Sequence, residues 1–489
     1  MGETMKKRSL TLNAFLNSIR NISNILFPLI TFPYVSRKLN VEGIGIYNFS
    51  SSFVSYFLLI AALGINTYAV REGAKYRDKT KKITLFSSEM FTINMCSTFL
   101  AYILLFLCLV LFSKLRSYST CILILSLQIF FTTIGAEWIY QIYEDYVYIT
   151  IRSIIFQIIS IVLMFIFVKN SDDYLNYAAI TVFSSVGSNI INYIYARQYC
   201  KIHLIFHFNW SKHLIPILIL FAANIATMIY VNSDITLLGI LKNNYVVGIY
   251  SVSSKIYQIV KTLVAALLIV TVPRLAMLLG KHRNKEYHDI LSKLTNIMVV
   301  LALPASTGLF MLSKEVILII SGSHFIRAES SLRILCFANL FAILTWILND
   351  CVLIPSKREK YMLKNTIISA LLNIVFNLIF IPFWNENAAA ISTILAEASM
   401  FILNYHYTKD IVENIFISKK FLKNITASLL GCTGIAIVCF LCNLEIKSLI
   451  LKISFSVLFS IIVYGVILLI LRNEIAINAL NKIKEMRNM

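Results

Sequence analysis

Apolar runs of about twenty residues recur along the whole chain, separated by short polar links, and this pattern leaves one fold class open. A helical run of that length matches a hydrocarbon core about 30 Å thick. In lipid every backbone N–H and C=O must find its partner inside the protein, so serial runs of this kind fold as helices. Only 14% of the 489 residues are charged and the mean hydropathy is +0.77, whereas a soluble chain carries about 25% charged residues. The expected fold is therefore all-α, a polytopic membrane protein. Fourteen spans are expected, at 14–36, 46–69, 86–112, 119–141, 149–168, 174–196, 213–241, 246–272, 292–312, 331–354, 362–384, 387–407, 423–443 and 449–471. A full-length span follows the basic cluster Lys6, Lys7, Arg8 with no small-residue cleavage site, so no cleaved leader is expected. The cysteines Cys96, Cys108, Cys336, Cys432 and Cys439 lie in apolar runs and read as small packing residues.

An internal repeat divides the chain. Gly45-Ile46-Tyr47-Asn48-Phe49-Ser50-Ser51 returns as Gly248-Ile249-Tyr250-Ser251-Val252-Ser253-Ser254, and each copy opens the second span of its half. Parallel repeats of this kind are typical of two-bundle transporters. The expected organisation is a six-helix bundle over 1–197, a cytoplasmic linker at 198–212, a second six-helix bundle over 213–408, and two further spans with a cytoplasmic tail over 409–489. His203, His207 and His213 fall at this junction and read as a solvated linker, since no acidic or thiolate partner completes a metal-ligand pattern.

The formal charge of +20 raises the question of nucleic acid, but its distribution answers otherwise. With the N-terminus inside, and with residues at span ends counted with the adjoining loop, thirty lysines and arginines lie on the cytoplasmic side and eleven outside. That asymmetry sets the orientation, with both termini cytoplasmic, and the charge meets anionic lipid rather than nucleic acid. The link holding Glu144 and Asp145 departs from the rule. It stays inside because moving it would invert the basic segments that follow. No phosphate-binding Gly-x-x-x-x-Gly-Lys-[Ser/Thr] occurs, so no nucleotide-driven step is expected; a cofactor and a metal centre are not expected either.

Polar residues within spans are costly and mark functional surfaces. Asn13, Asn17, Arg20, Asn24, Pro28 and Thr31 fall on one face of the first span, with Asn21 beside them. Asn224 stands 203 residues after Asn21, the offset of the repeat, and Asp234 follows it on span 7. In span 8, Tyr250, Ser254, Tyr257 and Lys261 share a face, with Lys255 and Gln258 close by. Lys261 lies about 20 Å into its helix and needs a carboxylate, water or an anionic ligand. Intramembrane acids are Glu89, Glu137, Asp234, Asp350 and Glu397. Asp234 reads either as a coupling residue or as the partner of Lys255 or Lys261. Pro28, Pro33, Pro216, Pro273 and Pro304 permit bends suited to alternating access.

Several segments together resemble a known family. They are Phe27-Pro28-Leu29-Ile30-Thr31-Phe32-Pro33-Tyr34-Val35-Ser36-Arg37, Glu42-Gly43-x-Gly45-x-Tyr47 and Gly64-Ile65-x-x-Tyr68-x-x-Arg71-Glu72. Trp138 with Glu144-Asp145-Tyr146, Asp234-x-x-x-Leu238-Gly239 and Pro273-Arg274 add to the set. So do Asn373-x-x-x-Asn377-Leu378-x-x-Ile381-Pro382 and Ala388-Ala389-Ala390-Ile391-Ser392-Thr393-x-x-x-Glu397. The set resembles the Wzx O-antigen flippases of the multidrug/oligosaccharidyl-lipid/polysaccharide exporter superfamily over residues 10–410. One departure is Asn387, where the family usually has glycine.

The resemblance implies two bundles about a central, often cationic cavity. It implies transfer of an undecaprenyl-pyrophosphate-linked oligosaccharide from the inner to the outer leaflet, with H⁺ or Na⁺ coupling open. A polysaccharide polymerase and a chain-length regulator are the implied partners, beside the lipid-linked substrate and membrane lipids. The expected substrate-binding residues are Arg20, Asn24, Arg37, Asn224, Lys255, Gln258 and Lys261. The expected coupling or gating residues are Arg71, Glu137, Asp234, Asp350 and Glu397. A multidrug exporter of the same superfamily and a membrane enzyme such as an O-antigen polymerase are the alternatives. The deep basic residues speak against the first, and the absence of any long external loop speaks against the second.

Overall fold

The structure, a computed structural model, describes residues 10–487. Lys6, Lys7 and Arg8, and the side chains of Asn13, Asn17 and Asn21, lie outside the described residues. Every regular element among the described residues is helical. The chain is a multi-pass membrane protein. Ten helices are long and apolar enough to cross a bilayer, or eleven if the bent pair Asn244–Ala266 and Thr271–Gly280 forms one span. The count falls below the fourteen expected for identifiable reasons. The helix Glu359–Phe416 carries two expected spans, and the first helix, Leu10–Lys38, is not among the ten. The expected span at 174–196 is divided into the short helices Tyr174–Val186 and Asn189–Ala196.

The 58-residue helix is a hairpin. Asn365 Nδ2 donates to Asn404 Oδ1 at 2.8 Å, Ser399 Oγ to Ser369 Oγ at 3.2 Å, and Arg358 clasps Asp410 with bonds of 2.7 and 2.6 Å. Each pair is centred on residue 384 or 385, so the arms run antiparallel. They turn at Asn385, whose φ of 50° and ψ of −127° leave the helical region.

The repeat extends one step beyond the residues that revealed it. Asn40 caps the helix Val41–Ala62 by accepting the Gly43 N–H at 2.6 Å, and Asn243 caps Asn244–Gly280 by accepting the Val246 N–H at 3.1 Å. The two caps are again 203 residues apart, and an asparagine in this position satisfies an otherwise orphaned helix donor.

Two compact units divide at Gly239 and Ile240. The stretch 198–212, read from the sequence as a linker, falls within the first unit. That polar stretch lies along the helix Thr80–Leu111, with the His203 N–H donating to Ser88 Oγ at 3.3 Å and the Ile205 N–H to Thr92 Oγ1 at 3.0 Å. The helix Trp210–Leu241 then packs within the first unit. Ser52 Oγ bonds Thr236 Oγ1 at 2.9 Å, and a Cβ on Gly239 would lie 2.0 Å from the Phe49 ring, so only glycine permits the approach.

Loops pair at consistent ends within each unit. Arg77 Nη1 meets Glu144 Oε1 at 2.9 Å, which puts the acidic Glu144 link beside the basic loop after the second span. The Asn40 N–H donates to the Ser171 carbonyl at 3.3 Å, joining loops at the other end of the same unit. In the second unit Lys242 Nζ reaches the Pro382 carbonyl at 2.8 Å.

Candidate functional site: paired intramembrane charges

The first cluster forms where two helices break. Helix Ser119–Gly135 stops at Ala136, whose φ of 38° is left-handed. Gly135 lets Asn189 pack close to the break, since a Cβ there would lie 2.4 Å from Asn189 Cγ. The break turns Glu137 away from the helix axis, just ahead of the short helix Trp138–Ile142. Arg20 Nη2 donates to Glu137 Oε1 at 2.5 Å and Arg152 Nη2 to Glu137 Oε2 at 3.0 Å. Gln141 Nε2 also reaches Oε1, at 3.4 Å.

Two guanidiniums thus share one carboxylate, and the cluster carries a surplus positive charge. Arg152 is 9% exposed. Arg20 Nε and Arg152 Nε and Nη1 are buried and make no hydrogen bond among the described residues. A buried donor without an acceptor is expensive, and three of them beside an uncompensated charge suit an anion with several oxygens.

Neighbouring contacts hold this geometry. Thr150 Oγ1 donates to the Leu16 carbonyl at 3.2 Å, and Gln157 Nε2 to Asn24 Oδ1 at 2.9 Å. The first helix is thereby pinned to Tyr146–Phe167 on either side of Arg20. The Arg152 guanidinium lies 5.7 Å from the Tyr148 ring. Tyr148 stacks on Tyr195 at 4.2 Å and bonds Asn192 Oδ1 at 2.9 Å, making an aromatic wall beside the charges.

In the second unit Lys261 Nζ lies 2.8 Å from Glu397 Oε1, with the Trp346 and Tyr257 rings 4.9 and 5.6 Å away. Among the intramembrane acids read from the sequence, Glu397 is the one that pairs with Lys261. Lys255, two turns earlier, is partly buried and makes no ion pair or hydrogen bond among the described residues. Gln258 is exposed and reaches Ser254 Oγ at 3.4 Å. Asp350 belongs to a π-helical turn, Ile347–Leu353, whose Cys351 carbonyl is taken by Tyr287 Oη at 2.7 Å. Turns of this type interrupt α-helices at functional positions.

The remaining sequence candidates differ in exposure. Asp234 is buried in Trp210–Leu241, while Arg37 and Asn224 are exposed. Arg71 is exposed and pairs with Glu72 at 3.3 Å. His213, expected in a solvated linker, is 3% exposed. Its Nδ1 lies 3.0 Å from Tyr68 Oη and its Nε2 3.2 Å from Glu89 Oε2. It starts a packed helix, so local polarity misplaced it.

Arg152, Gln157 and Trp346 were missed as site residues. Arg152 had a usable signal: a full charge within the apolar run 149–168, fifteen residues after Glu137. Trp346 had none, since a tryptophan in an apolar run reads as packing.

Residues 10–279 match the family described as Polysaccharide biosynthesis protein. Over 400 residues the chain is 24% identical to the protein of Escherichia coli (strain K12) named "Putative O-antigen transporter", covering 80% of this chain and 94% of that protein. It is 25% identical over 205 residues, 42% of each chain, to the "Probable low-salt glycan biosynthesis flippase Agl15" of Haloferax volcanii. Its fold is similar to that of the lipid II flippase MurJ in an inward closed conformation, with a TM-score of 0.72 and 16% identity over 95% of this chain and all of that one. An inward-facing multidrug resistance MATE family transporter of the MOP superfamily also shares the fold, with a TM-score of 0.65 and 13% identity over 83% of this chain and 99% of that one.

Proposed function

The chain belongs to the family of polysaccharide biosynthesis proteins, and on that premise we propose that it is a flippase rather than an enzyme. It moves a lipid-linked oligosaccharide repeat unit, of O-antigen or a similar polysaccharide, from the cytoplasmic to the outer leaflet of the inner membrane. Both termini face the cytoplasm and transport proceeds by alternating access. The lipid is undecaprenyl pyrophosphate, whose headgroup needs cationic partners once it leaves water.

The observation that carries this reading is the Arg20–Glu137–Arg152 cluster, with its surplus charge and three unpaired buried donors. Guanidiniums bind phosphate oxygens in pairs, and each such bond is charge-assisted. Glu137 holds both guanidiniums in place between turnovers and offsets the cost of burying them. In the second unit Lys255 offers a point charge to the same class of headgroup, while Lys261 is neutralised by Glu397. Glu397 and Asp350 are the candidates for any coupling to an ion gradient. Related transporters of organic cations favour acidic cavities, and the surplus here is basic.

The test is the double substitution Arg20→Ala, Arg152→Ala in a strain relying on this gene. Surface polysaccharide should fall at least tenfold while membrane insertion and expression match the wild type. Undiminished polymer from a well-expressed double variant would remove the headgroup role of the cluster.

A further inference from the structure

The hairpin of Glu359–Phe416 ends in a feature that anchoring alone does not require. Its tip, Phe383 to Asn387, lies at the end opposite the Arg358–Asp410 clasp. Phe383 is 76% exposed and Trp384 55% exposed. Asn385 adopts its positive φ without being glycine, and such strain persists only where surrounding contacts over-determine it. Those contacts are present. Arg327 Nε and Nη2 donate to the two oxygens of Glu386 at 2.5 and 3.2 Å, and Glu386 is 2% exposed. Ser330 Oγ donates to Asn387 Oδ1 at 2.8 Å. The tip is thereby clamped to the start of the helix Ala328–Trp346.

Beside the clamp lies an open, shallow cavity of about 530 Å³. Its lining includes the aromatic Trp384 and Phe383, the polar Asn385, Asn387 and Arg327, and the apolar Ile391. Half of the Arg327 side chain stays accessible.

We infer that this cavity is a saccharide subsite that holds part of the glycan at the outer face. The inference rests on the glycan-transport reading above and names a second place where that substrate touches the chain. A sugar ring has an apolar C–H face and a rim of adjacent hydroxyls. The face stacks on an aromatic ring, and neighbouring hydroxyls pair with planar side chains that present a donor and an acceptor side by side. The cavity holds aromatic rings and the amides of Asn385 and Asn387, and its volume lies in the range of small-ligand pockets. A bilayer anchor would account for exposed Trp384 and Phe383. It would not call for the Asn387 amide and a bidentate Arg–Glu pair beside a concave space.

The experiment uses the full chain in lipid nanodiscs. The probe is the lipid-free oligosaccharide released by mild acid from the repeat unit of the strain that carries the gene. Saturation-transfer NMR should show sugar protons contacting the wild-type protein. Trp384→Ala should weaken binding at least tenfold, Asn387→Ala should weaken it measurably, and Trp384→Phe should retain most of it. Helicity and thermal unfolding of each variant establish that it is folded.

Absence of binding to the wild type overturns the inference, as does unchanged binding by a folded Trp384→Ala. A Trp384→Ala variant that binds sugar normally but inserts poorly assigns the tip to membrane anchoring. The readout needs neither lipid nor translocation, so it stands or falls separately from the Arg20 and Arg152 test.

Discussion

Lys261 is tolerable inside a span because Glu397 stands 2.8 Å away and the Trp346 ring faces its ammonium at 4.9 Å. Both side chains are largely sequestered, at 14 and 5% exposure. Removing one partner leaves the other buried and uncompensated, at a cost of about 3–5 kcal/mol, whereas replacing both with apolar groups is often neutral. Glu397→Gln and Lys261→Met alone should each lower the unfolding temperature clearly in detergent, and the double variant Lys261→Met, Glu397→Leu should recover most of the loss. Additive losses in the double variant would mean that the two charges do not act as a pair. The Arg20–Glu137–Arg152 cluster differs, because one carboxylate cannot neutralise two guanidiniums. One arrangement balances its charges and the other carries a surplus.

At the level of elements, glycine placement decides which helices approach closely. Gly239 touches the Phe49 ring, whereas a Cβ on Gly308 would meet nothing within 4 Å. Gly239→Ala should therefore destabilise the first unit and shift its unfolding downward. Gly308→Ala, inside the helix Asn284–Met311, should be neutral or stabilise by up to about 1 kcal/mol through helix propensity. Thermal unfolding of the two variants side by side checks the contrast.

The loop before Tyr174–Val186 gives a pH prediction. Asp173 Oδ2 accepts the Lys169 and Asn170 N–H groups at 2.9 and 2.8 Å, and these bonds hold its carboxyl below the usual range. A lowered folded pKa stabilises the loop above the ordinary carboxylate value of about 4, and that stabilisation is lost as pH falls through the lowered one. Exchange of the Lys169 and Asn170 amides should accelerate, relative to the Asp173→Asn variant, only on strong acidification. A pH-independent ratio would contradict the assignment.

Across the whole molecule, what could be read from the chain follows the range of the interactions. The helical membrane fold was legible because a run such as 86–112 declares itself within twenty residues. Arg20, Glu137, Lys261 and Glu397 were legible as charges out of place in apolar runs. Their pairing was not, since Arg20 and Glu137 are separated by 117 residues and Lys261 and Glu397 by 136. The unit boundary was illegible for the same reason. Ser52 meets Thr236 across 184 residues. Family membership and the membrane fold are consistent with several cargoes, so the decisive observation is where the cargo accumulates. The measurement is deletion of the gene in its own strain, followed by leaflet-resolved quantification of lipid-linked repeat units. Loss of surface polymer with repeat units stranded on the cytoplasmic leaflet is the predicted result. Repeat units reaching the outer leaflet without polymer would contradict the flippase account and point to a polymerase.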